Sequence, residues 1–169
     1  MLMLHPAHLP DGPLMAVDPG EKTLGIAVCD AKRTLVTPVT TIQRVKFTPD
    51  VQALLKLYDD RKCAGLVVGL PLHMDGGDGR RAQSSRSFVT NLLRLRDLPV
   101  VYQDERLSTF AATEALIEAG VKPSARKSYV DAQAAAVILE AALLRIKEGA
   151  PRFGGGPDSS GDTSGDTRP

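Results

Sequence analysis

The sequence predicts an α/β domain in which a mixed sheet is covered by helices. Three observations predict it. Short β-branched and apolar runs alternate with helical-period segments in the order βββαβαβαα, which joins a meander to βα units. The chain has 169 residues, enough for one core without staples. Its 43% hydrophobic and 24% charged residues are those of an ordinary globular protein.

Residues 1–13 hold Pro6, Pro10, Asp11, Gly12 and Pro13, so they read as a flexible N-terminal arm. The domain is expected over 14–150. Leu14 to Val17, Ile26 to Cys29 and Thr34 to Ile42 read as three consecutive strands, with a turn at Asp30 to Arg33. Asp50 to Tyr58 places Val51, Leu54, Leu55 and Tyr58 at helical spacing after a Thr48 cap and Pro49. Gly65 to Gly69 is a buried-strand pattern. The polar loop His73 to Gly79 leads to an amphipathic helix through Phe88, Leu92 and Leu95, and Pro99 to Tyr102 is the fifth strand. Two helices follow, Thr109 to Ala119 ending at Gly120 and Tyr129 to Lys147 ending at Gly149. Beyond them, 151–169 is a Gly, Ser, Asp and Thr tail expected to be disordered.

No apolar run is long enough for a membrane span and no leader pattern opens the chain, so a cytoplasmic location is expected. Cys29 and Cys63 have neither metal-ligand spacing nor a disulfide framework, and read as reduced core thiols. The net charge is +1; the tail carries two arginines and three aspartates, which leaves +2 for the rest. So small an excess does not indicate nucleic acid, and any such reading rests on local patches.

Three acidic positions stand out. Asp18 closes the first strand beside the turn Pro19-Gly20-Glu21-Lys22, where α/β proteins hold ligands; a turn aspartate bonding its own backbone explains the same pattern. Asp104-Glu105-Arg106 follows the fifth strand, ahead of Ser108-Thr109. Helix capping accounts for part of this, but not for two adjacent acids plus arginine. Asp131 precedes Ala135, Ile138 and Ala142 at helical spacing, so it lies at the edge of the packing face; Ser128 to Asp131 is also close to a capping box, and the two readings are compatible. Carboxylates are the oxygen ligands that Mg²⁺ and Mn²⁺ prefer, and pairs of such ions serve phosphodiester hydrolysis. No competing set is present: the histidines form no pair, and neither a nucleophile elbow nor a P-loop occurs.

Four blocks carry a resemblance: AVDPGEKTLGIAVCD from Ala16, VVGLPLHMDGGDG from Val67, VYQDERLSTFAATEAL from Val101 and YVDAQAAAVILEA from Tyr129. In this order, over nearly all of 14–147, they resemble the YqgF family, described as pre-16S rRNA nucleases or Holliday-junction-resolvase-like proteins. The resemblance implies an RNase H-like fold, a five-stranded mixed sheet with helices on both faces. It implies that Asp18, Glu105 and Asp131 form an acidic site for two Mg²⁺ or Mn²⁺ ions, with Asp104 as a helper. Asp18 is expected to bridge the ions. Gly20 and Gly25 would keep the loop slim beside a phosphate, and Lys22 and Arg106 would balance its charge. Further substrate contacts are expected from Ser108, Thr109, Arg80, Arg81, Lys122, Arg126 and Lys127, the last three in a loop before Asp131.

The chain departs from the family pattern at Pro19, at Thr23 where arginine is usual, and at His73 where asparagine is usual. Thr23 is expected to remove a phosphate contact. The partner implied is nucleic acid, as RNA or as branched or single-stranded DNA, with the protein a monomer or a homodimer. Two other readings remain. A turn like that at Asp18 also occurs in sugar-kinase and actin-type ATP sites, although those close two domains over the nucleotide. The fold also suits a non-catalytic RNA-binding module.

Overall fold

The computed structural model describes residues 1–71, 79–104 and 123–149, with side chains from 131 onward in the last segment. The expected helix at 109–119, the loop from His73 to Asp78 and the tail lie outside these residues. Among the described residues the strands are β1 (Leu2–Met3), β2 (Leu14–Pro19), β3 (Thr23–Cys29), β4 (Val36–Gln43), β5 (Gly65–Leu70) and β6 (Val100–Asp104). The helices are α1 (Phe47–Asp60), α2 (Arg80–Leu95) and α3 (Pro123–Glu148).

One sheet runs in the order β1-β6-β5-β2-β3-β4. β2, β3 and β4 form the antiparallel meander, and β5 and β6 add in parallel on the other side of β2. This is the mixed sheet that the sequence predicts. Every residue of β2, β3 and β5 is buried, as expected for strands covered on both faces. The pleat sorts their side chains. Met15, Val17, Leu24, Ile26, Leu66 and Val68 pack beneath α1 and α2. Leu14, Ala16, Ala27, Cys29 and Val67 face α3, which supplies Ala135, Ile138, Leu139 and Ala142. Helices therefore cover both faces. None of the described helices is long and apolar enough to cross a membrane.

Two expectations change. The arm at 1–13 is not loose, and it makes the sheet six-stranded. Leu2 and Met3 pair in parallel with Val100 and Val101, completing an edge of β6 whose polar groups would otherwise lack strand partners. Pro6 to His8 then forms a 3₁₀ turn against α3, and Leu9 enters the α3-side core, a burial worth about 2 kcal/mol. The second change concerns helix starts. α1 opens at Phe47, two residues before the expected first helical residue Pro49, and the Phe47 ring packs edge-on against Phe88 at 5.8 Å. Its first turn is closed not by Thr48 but by Asp50, whose Oδ2 accepts the Val45 N–H at 2.9 Å. Pro49 is tolerated there because first-turn N–H groups have no intrahelical acceptor.

Candidate active site

Asp18 is the penultimate residue of β2, the strand through which the meander joins the parallel pair. The parallel strands β2, β5 and β6 all end at this edge of the sheet, where open α/β sheets bind ligands. Alternation after Leu14 and Ala16 puts the Asp18 side chain on the α3 side, and it is buried, 8% exposed. Its register partner on β3 is Gly25.

Gly25 is where α3 meets the sheet. A Cβ there would lie 1.9 Å from the carbonyl oxygen of Asp131 and 2.4 Å from its carbonyl carbon. Only a residue without a side chain lets the helix backbone come so close. Because Gly25 sits opposite Asp18, this approach brings Asp131 to the level of Asp18. Thr23, two residues before Gly25 and therefore on the same face, donates from Oγ1 to Asp131 Oδ2 at 2.6 Å. Thr23 is itself buried, while Asp131 is half-buried.

Asp18 and Asp131 both line one cleft of about 770 Å³. Gly20 and Lys22 line it from the β2–β3 turn, which is closed by the Gly20 N–H donating to the Thr23 carbonyl at 2.8 Å. Arg44 braces that turn twice. Its backbone N–H donates to the Lys22 carbonyl at 2.8 Å, and its guanidinium donates to the Gly20 carbonyl at 2.6 Å while lying over the Phe88 ring. The opposite wall is the start of α2, with Arg80, Arg81 and Ser84. That first turn contains no acid, so the helix N-terminus and two arginines face the cleft with the same sign of charge. The arrangement suits an anion lying beside two carboxylates.

A family profile described as "RuvX: Holliday junction resolvase" matches residues 12–145. The chain belongs to this RuvX family. All four motif blocks lie within the matched span, so the YqgF resemblance stands. A protein of Phenylobacterium zucineum named "Putative pre-16S rRNA nuclease" is 49% identical to this RuvX chain over 140 residues, 82% of this chain and 90% of its own length. A protein of the same name from Rhodospirillum rubrum is 52% identical over 137 residues, covering 80% and 85%. Among solved structures, T. thermophilus RuvC in complex with Holliday junction substrate aligns at 16% identity over 80% of this chain and 96% of its own, with a TM-score of 0.49.

Of the residues expected to form the RuvX site, the cleft gathers Asp18, Asp131, Gly20, Lys22, Arg80 and Arg81. Glu105, Arg106, Ser108, Thr109 and Lys122 lie outside the described residues. Asp104 is not among the residues lining the cleft. The pleat of β6 puts it on the side of Val100 and Tyr102, whereas Gln103 takes the α3 side and accepts from Arg145 at 2.7 Å. Arg126 and Lys127 were expected in a loop, but the backbone there is helical because α3 begins at Pro123, a favoured first helical residue. Ser128 is thus inside the helix and does not cap it, so the capping-box reading of Asp131 falls.

Two roles differ from expectation. Gly25 serves the packing of α3 rather than slimness beside a phosphate. Thr23 is tied to an acidic residue of the site, a role that sequence reasoning missed; the signal was the alternation that puts Thr23 and Gly25 on one face of β3. The donors from Asp18 and Asp131 are all oxygen, the type that Mg²⁺ and Mn²⁺ prefer, so the residues present fit such an ion. Among the described residues no three His, Cys, Asp or Glu side chains cluster as a metal set.

Proposed function

We propose that this RuvX family member is a divalent-metal-dependent nuclease that hydrolyses phosphodiester bonds, with the 5′ end of a 16S rRNA precursor as its substrate. The observation that carries the reading is the meeting of Asp18 and Asp131, from a strand and a helix over a hundred residues apart, in a cleft walled by Lys22, Arg80 and Arg81. Asp18 and Asp131 would hold Mg²⁺ or Mn²⁺, with Glu105 as the third acid. Two such ions activate water and stabilise the leaving oxygen of a phosphodiester. Lys22, Arg80 and Arg81 offset the charge of the bound phosphate, and the α2 N-terminus adds to that field. Arg80 and Arg81 stand across the cleft from the β2–β3 turn that carries Lys22, so cations flank the phosphate and draw it to the carboxylates although both are negative. Arg106, Ser108, Thr109, Lys122, Arg126 and Lys127 are proposed as further contacts along the strand.

The names of relatives about half identical over most of their length favour RNA. The family description favours a second reading, a junction resolvase acting on branched DNA. Symmetric junction cleavage needs two sites, so a homodimer would support that reading. The test compares a 16S precursor 5′ end, linear single strands and a four-way junction as substrates under one metal condition, for the wild type and Asp18→Asn. Precursor cleavage that disappears in a folded Asp18→Asn protein is the expected result. Undiminished metal-dependent turnover in that variant overturns the site.

A further inference from the structure

We infer that Thr23 is a positioning residue for Asp131, and that it sets the affinity of the site for a divalent cation rather than touching the phosphate. The inference deepens the proposed function and rests on it. Thr23 is anchored in the middle layer of the protein, buried on a strand whose neighbours on both sides belong to the sheet. Asp131 stands on a helix and is half-buried, so burial alone does not lock its carboxylate. The 2.6 Å bond from Thr23 Oγ1 engages Oδ2 of that carboxylate.

A bond of this kind, to a charged acceptor, does two things. It restrains the carboxylate, which then has less entropy to lose when a cation binds. It also commits the hydroxyl of Thr23 to Asp131. A threonine hydroxyl has a single hydrogen to donate, so Thr23 cannot offer that donor to a phosphate oxygen at the same time. The cationic contact associated with arginine at this position is therefore not replaced by Thr23. Phosphate binding falls instead to Lys22, Arg80 and Arg81, which share the cleft.

The test uses Thr23→Val, which keeps the shape and removes the hydroxyl, and Thr23→Ser, which keeps the hydroxyl. Mn²⁺ binding to the full chain is measured by calorimetry without nucleic acid, and kcat and KM for a single-stranded RNA are measured at saturating Mn²⁺. Thr23→Val is expected to weaken Mn²⁺ binding about tenfold, the lower end for a charge-assisted bond because water reaches Asp131. KM for RNA at saturating Mn²⁺ should stay near the wild-type value, and Thr23→Ser should recover most of the Mn²⁺ affinity. Equal Mn²⁺ affinity in the wild type and Thr23→Val overturns the inference and leaves the nuclease reading intact. So does a raised KM with unchanged Mn²⁺ affinity, which would make Thr23 a substrate contact. A wild-type protein that binds no Mn²⁺ removes the metal reading itself, and this inference with it.

Discussion

Replacing Gly25 with alanine tests the contact on which the site geometry depends. The added Cβ would stand 1.9 Å from the Asp131 carbonyl oxygen, whereas real contacts of this kind are essentially never shorter than 3.0 Å, so α3 must retreat by at least 1.1 Å. The atoms in conflict are backbone, with no rotamer through which to escape. Overpacking costs about 1–3 kcal/mol, and this case belongs at the upper end. Alanine recovers about 0.5–1 kcal/mol by lowering the entropy of the unfolded chain, which leaves a net loss of about 2 kcal/mol. For a chain of this length that is a fall in Tm of roughly 4–8 °C. The retreat also draws Asp131 away from Thr23 and from the level of Asp18. Misplacing a reacting group by about 1 Å can cost on the order of a hundredfold in rate. Thermal melting followed by circular dichroism, and cleavage at a temperature where the variant remains folded, measure the two effects separately. A Gly25→Ala protein with wild-type melting and turnover would show that α3 does not rest on Gly25, and the placement of Asp131 would have to be abandoned.

Two further outcomes follow from the structure. Arg44→Ala removes both the guanidinium bond to the Gly20 carbonyl and the contact with Phe88, so the turn carrying Lys22 loosens. The expected result is a stability loss of about 1–2 kcal/mol with KM raised more than kcat is lowered, read by melting and steady-state kinetics; unchanged KM would remove Arg44 as a brace. Burial pushes the Cys63 thiol up to about 11 from 9.0, so the folded state holds its proton where the unfolded state has lost it. Stability should therefore fall as pH rises from 9 towards 11, and less steeply in Cys63→Ala, as read from denaturant midpoints across that range.

Where a region's structure follows from its own periodicity, it was legible in the sequence. The meander, the βα units and the buried character of β2, β3 and β5 all come from apolar runs that can only be satisfied with both faces covered. The N-terminal arm was not legible, because Pro6, Pro10 and Gly12 argue correctly against a long element and say nothing about a two-residue strand. Leu2 and Met3 are ordered by the open edge of β6, a partner about a hundred residues away. The start of α1 was missed for a similar reason. Thr48 and Pro49 are sound local signals, but the packing of Phe47 on Phe88 decides where the helix begins.

The site divides along the same line. Asp18 was readable as an acid at a strand end, and Asp131 as an acid at the edge of an apolar helical face, because each statement concerns one element. What joins them does not belong to either element. It is the absence of a side chain at Gly25, opposite Asp18 in the sheet, which lets the backbone of α3 rest there. Once the helix is seated, its register fixes which residue faces Thr23, and the 2.6 Å hydroxyl bond selects the orientation of that residue's carboxylate. A glycine read only as slimness beside a phosphate, and a threonine read only as a missing arginine, are thus two parts of one device. β3 carries none of the acids, yet it determines where the helical acid stands. A substitution in β3 should therefore disturb the site even when every carboxylate is left in place.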